Sequence, residues 1–116
     1  MLYNKLKKKD DYASVFRSGK YFKLDSVVIQ HNERKNSELF NEPRYGIIAS
    51  KKIGNSAKRN YAKRRLRTLI DKIACYGEKN SDYIFVAKKK LLSEKFSILI
   101  LDLKNGLNKI KEKNNE

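Results

Sequence analysis

Apolar residues recur along this chain at two spacings, one helical and one extended. In "DDYASVFRSG", Tyr12, Val15 and Phe16 fall at i, i+3 and i+4, which predicts a short helix capped by Asp10 and stopped by Gly19. The β-branched centre of "LDSVVIQHN" predicts a strand, and the polar run "NERKNSELFNEP", ending at Pro43, predicts a surface loop. "RYGIIAS" and "DYIFVAKK" are continuous apolar runs in their centres, as expected of strands covered on at least one face. Between them, Gly54, Asn55 and Ser56 supply turn and cap chemistry. Ala62, Leu66, Leu69 and Ile73 then fall at helical spacing and predict an amphipathic helix of about four turns. A last stripe of Phe96, Leu99, Ile100, Leu103, Leu107 and Ile110 predicts a helix across the sheet, capped by Ser93, with residues 110–116 as a frayed tail. The order is α, β, β, α, β, α, with no repeat or linker, so residues 1–116 are expected to form one domain.

Charge changes this picture more than composition does. The formal net charge is +15, and the thirteen acidic residues are scattered, so no acidic run offsets it and a polyanion such as nucleic acid is the expected partner. Lysine abundance alone is a weak signal in a chain rich in Asn, Ile and Lys. Arginine is sharper: Arg59, Arg64, Arg65 and Arg67, four of the seven, fall within nine residues, and a guanidinium fork matches phosphate as an ammonium does not. The stretch "SKKIGNSAKRNYAKRRLRTLI" holds eight basic side chains (Lys51, Lys52, Lys58, Arg59, Lys63, Arg64, Arg65, Arg67) and no acidic one between Lys51 and Arg67. At 100° per residue, Asn60, Lys63, Arg64 and Arg67 gather opposite the apolar stripe, with Tyr61, Arg65, Thr68 and Lys72 on a flank. Such self-repulsion destabilises an isolated chain unless an anion completes it. The preceding "SKKIGN" turn adds backbone donors and a helix N-terminus, which also favour phosphate.

Catalytic chemistry finds little support. His31 is the sole histidine and reads as a strand-end residue, and Cys75 is alone and reads as a small buried hydrophobe beside the helix stripe. Helix capping accounts for the Asp10–Asp11 pair. The lone thiol fits a reducing, cytoplasmic setting, and no apolar run reaches the roughly 20 residues that span a bilayer. Tyr12 and Phe16, one turn apart, fit either core packing or base stacking beside basic residues, and the sequence leaves that choice open.

The stretch "SKKIGNSAKRNYAKRRLR" resembles the signature of the bacterial ribonuclease P protein subunit, in which a Ser-Lys-Lys-x-Gly turn leads into Arg-Asn-Arg-x-x-Lys-Arg-x-x-Arg. "DYASVFRSGK" is similar to that family's first helix and "DYIFVAKK" to the strand after the basic helix. The resemblance implies an α+β fold, a single-domain αβββαβα sandwich with a left-handed β-α-β crossover that contains the basic helix. It also implies that a large RNA is the catalyst and removes the 5′ leader from precursor tRNA with Mg2+ held mainly by RNA, while the protein binds that RNA, grips the leader and raises substrate and metal affinity. Neither a membrane nor DNA is an expected partner. Carried over by position, Lys51 and Lys52 lie at the turn, Arg59 and Asn60 open the signature, and Lys63, Arg64 and Arg67 keep its spacing, with Lys58 and Arg65 beside them. Tyr12, Phe16, Lys63 and Arg67 would line a leader-binding cleft. Tyr61 stands where the signature has its second arginine, and Gln30 where an aromatic residue is often found.

A ribosomal or other structural RNA-binding protein would share the charge and size but not the full signature spacing. A helix-turn-helix DNA binder would need a short helix, not a strand, just before the basic helix.

Overall fold

The computed structural model describes residues 3–34 and 42–114; most of the surface loop expected after the first long strand lies outside them. Its elements are β1 (Asn4–Lys5), α1 (Lys9–Arg17), β2 (Tyr21–Lys23), β3 (Val27–Glu33), β4 (Arg44–Ile48), α2 (Ser56–Ile73), β5 (Ser81–Ala87) and α3 (Phe96–Asn114). The strands form one mixed sheet in the order β1-β4-β5-β3-β2. β3 runs antiparallel to β5, with Ile29 opposite Phe85, whereas β4 runs parallel to β5, with Tyr45 opposite Tyr83. Parallel neighbours cannot be joined by a hairpin, and here α2 provides the crossover between β4 and β5. The β-α-β unit of the implied αβββαβα order is therefore present, with β1 added at the sheet edge.

Alternation along β3 assigns the two faces. Val27, Ile29 and His31 are buried on one side with Tyr45, Tyr83 and Phe85, and on that side Leu66, Leu69 and Ile73 of α2 and Leu99, Leu103 and Leu107 of α3 complete the main core. Tyr45 stacks on Tyr83 and Phe85 at centroid distances of 5.4 and 6.0 Å. On the opposite face, Ile84 packs with Leu6 and Val15, flanked by Tyr12, Ile48 and Val86, and this smaller cluster seats α1. Strand β5 thus has helices on both sides, which is why its sequence reads as an unbroken apolar run.

Several boundaries differ from the sequence expectations. Lys8, not Asp10, is the N-cap of α1; Asp10 and Asp11 lie in the first turn, where carboxylates favour the helix dipole. Gly19 does end this helix region, with φ of +68°. Ser93 closes a 3-10 turn over Lys89–Leu92, and α3 begins at Phe96. The tail expected to fray from residue 110 is helical through Asn114: Ile110 is buried in the core, and Asn114 Nδ2 donates to Glu78 Oε1 at 3.1 Å. The basic helix is 18 residues long, about five turns rather than four. Cys75 is exposed, not buried, because α2 ends at Ile73 and the chain turns through a 3-10 segment, leaving Cys75 on the wall of an open cavity of about 420 Å³.

Candidate nucleic-acid interface

Local chemistry sets α2 firmly in place. Asn55 Oδ1 accepts from the Lys58 N–H at 3.0 Å, satisfying one donor of the first turn, as the Gly-Asn-Ser sequence predicts. Gly54, at φ of +142°, makes the bend before it, and buried Ile53 pins the turn that carries Lys51 and Lys52, both exposed. Ala62, Leu66, Leu69, Ile70 and Ile73 are fully buried, so the helix cannot roll on the sheet without opening the core.

Its outer side is correspondingly defined. Lys58, Asn60, Arg64 and Arg67 are exposed, and Arg59 and Lys63 are half-buried. Arg59 Nη2 donates to Ser56 Oγ at 3.1 Å within its own turn. Among the described residues, ion pairs form at Arg34, Arg44, Lys90 and Lys109 and at none of the eight basic side chains from Lys51 to Arg67. Arg65 is placed differently from the rest: Nη2 donates to the Glu94 carbonyl at 2.6 Å and Nη1 to Tyr61 Oη at 2.8 Å, which ties α2 to the segment before α3.

The α1 aromatics have different surroundings. Tyr12 is half-buried against β4, close enough to Gly46 that an added Cβ there would lie 2.7 Å from Tyr12 Oη, and the Ile47 N–H points at this oxygen from 3.4 Å. Phe16 is 43 % exposed. Gln30 lies on this same face of β3, half-buried beside α1. Tyr12 and Phe16 therefore occupy the face opposite Lys63 and Arg67. Of these four side chains, Tyr12 and Arg67 both come near Tyr3 beside β1, where burial raises the Tyr3 phenol above its ordinary pKa, the Asp71 charge adds to that rise and Arg67 opposes it.

Sequence reasoning missed what fastens α1 to the sheet. Asp82, almost fully buried, accepts from Arg44 Nε and Nη2, both at 2.8 Å, and from Arg34 Nη1 at 2.6 Å; Arg44 Nη1 lies 3.4 Å from Asp11 in α1. An aspartate opening an otherwise apolar strand was the available signal, because a buried carboxylate requires partners. His31 is buried between Tyr83 and α3, and desolvation, with Lys20 and Lys113 nearby, lowers its pKa to about 4. It is neutral at pH 7. Among the described residues, no three His, Cys, Asp or Glu side chains converge as metal ligands.

Comparison with known proteins agrees with this architecture. The family model described as Ribonuclease P matches residues 3–111. The ribonuclease P protein component of Listeria monocytogenes serotype 4b is 35% identical over 85 residues, covering 73% of this chain and 69% of that protein. That of Paramagnetospirillum magneticum is 28% identical over 92% of this chain and 82% of its own. Among solved structures, the RNase P protein from Thermotoga maritima superposes with a TM-score of 0.75 at 23% identity, covering 91% of this chain and 96% of that one, and so shares the fold. With its signature stretch carried on a capped helix between two parallel strands, this chain belongs to the ribonuclease P protein family.

Proposed function

We propose that this chain is the RNA-binding protein subunit of a bacterial ribonuclease P ribonucleoprotein and assists in removing the 5′ leader from precursor tRNA. One observation carries the reading: eight basic side chains that form no ion pair among the described residues stand on a packed helix and its preceding turn, in a chain of this family. Lys51, Lys52, Lys58, Arg59, Lys63, Arg64 and Arg67, with Asn60 among them, meet phosphates of the RNA subunit or substrate. The helix is already formed, so binding does not also have to order it. Arg65, spent on Glu94 and Tyr61, acts by holding the helix.

Leader nucleotides are gripped from the other face, where Phe16 offers an open ring for base stacking and Tyr12 sets the floor of the cleft on β4, with Lys63 and Arg67 of α2 adding positive charge to the leader's path. The RNA subunit is the catalyst, and Mg2+ sits on RNA and substrate; neutralising phosphate charge near it raises substrate and metal affinity. The protein acts in the cytoplasm, where tRNA precursors are made.

Adding the purified chain to a bacterial ribonuclease P RNA at low magnesium tests this directly. Precursor-tRNA cleavage is expected to rise; no stimulation would refute a processing role and leave a structural RNA-binding role in its place.

A further inference from the structure

Position 61 is where the chain departs from the signature, and its surroundings give the departure a purpose. Tyr61 is 37 % exposed and stands among the basic side chains of α2. The Arg64 guanidinium carbon lies 5.7 Å from its ring centroid and that of Arg65 lies 5.5 Å away. Arg65 is anchored in turn. Besides donating to Tyr61 Oη and the Glu94 carbonyl, its guanidinium lies 5.9 Å from the Phe96 ring, and its buried Nε has no hydrogen-bond acceptor among the described residues.

We propose that Tyr61 is a positioning residue, braced by Arg65, whose ring holds the Arg64 guanidinium ready for a phosphate. This rests on the reading of α2 as the RNA-contacting face. An exposed arginine is ordinarily free to sample many rotamers, and that freedom is lost when it binds; a ring that already restrains it reduces the loss. Tyr61 thereby replaces a second charge, which would repel Arg64 and Arg65, with a neutral surface that attracts both. The chain thus carries an aromatic ring in place of one positive charge at this position.

The test measures binding to a ribonuclease P RNA transcript for the parent chain, Tyr61→Leu, Tyr61→Phe, Arg64→Ala and the Tyr61→Leu/Arg64→Ala double variant, and nitrogen relaxation of the Arg64 side chain in the RNA-free parent chain, Tyr61→Leu and Tyr61→Phe. Tyr61→Leu is expected to weaken RNA binding about two- to fivefold, the range for an exposed cation–π contact. It should also increase Arg64 Nε–H mobility, while Tyr61→Phe keeps the ring and most of the affinity. In the Arg64→Ala background, Tyr61→Leu should cost nothing further. Additive losses would mean that Tyr61 touches RNA itself and would overturn the proposal, as would an Arg64 side chain equally mobile with tyrosine or leucine at 61. If Lys63→Ala, Arg64→Ala and Arg67→Ala all leave RNA affinity unchanged, the reading of α2 fails and the proposal falls with it. An unchanged Arg64 mobility beside intact sensitivity to Lys63→Ala and Arg67→Ala sinks the proposal alone.

Discussion

Truncating Phe16 to alanine separates the leader-binding face from the core. Removing a fully buried phenylalanine side chain costs about 3 to 5 kcal/mol of folding. Phe16 is 43 % exposed, so little more than half of that contact exists to be lost, and the folding cost should be about 2 kcal/mol. Losing one stacked base costs about 1 to 3 kcal/mol of binding, or an about 5- to 150-fold weaker complex. The assay measures affinity of the reconstituted ribonucleoprotein for a leader-bearing precursor and for mature tRNA, with thermal melting of the same variant. Phe16→Ala should lose affinity for the precursor alone. Tyr12→Ala is the contrast: Tyr12 packs on the β4 backbone at Gly46, so its removal should lower the melting temperature more than that of Phe16→Ala. If Phe16→Ala weakens both RNAs equally, or melts like a core variant, the assignment of Phe16 to the leader is wrong.

Two further outcomes follow from the buried polar groups. Asp82→Asn leaves the Arg34 and Arg44 guanidiniums facing an amide in place of a carboxylate and should cost about 3 kcal/mol in urea unfolding; an unchanged midpoint would show that this clamp does not hold α1. His31 has a folded pKa of about 4 against an ordinary value of 6.5, so the unfolded chain binds the extra proton first. Stability from neutral His31 is complete above about pH 6.5 and is lost as pH falls towards 4, on the order of 2 to 3 kcal/mol; His31→Gln should flatten melting temperature against pH across that window.

Where a residue's neighbours are local in sequence, the fold was legible. The stripe from Ala62 to Ile73 marks α2 because helical spacing alone brings those side chains together, and Gly54-Asn55-Ser56 marks its start through one short-range bond. Long-range pairing was not legible. β2 is three residues long and exists because Phe22 lies opposite Ile29, and two-residue β1 exists because Asn4 and Lys5 pair with Arg44 and Tyr45. Cys75 was misplaced for a related reason: helical spacing was extended past Ile73, where the chain leaves the helix to reach β5. In the candidate site, the charge on α2 was plain from composition, but the diversion of Arg65 to Glu94 depends on a loop 29 residues away. Tyr12 and Phe16 shared one helical face in sequence, and what distinguishes them is long-range: Tyr12 packs closely on Gly46 of β4, whereas Phe16 is left exposed.

The central claim is that side chains on the outer side of α2 meet RNA phosphates, and salt dependence tests it most directly. Affinity for a ribonuclease P RNA transcript is measured across a series of salt concentrations for the parent chain and for Lys63→Ala, Arg64→Ala and Arg67→Ala. Each substitution should weaken binding and reduce the slope of log affinity against log salt by roughly 0.7 to 0.9. Slopes identical to that of the parent chain in all three variants would contradict the account.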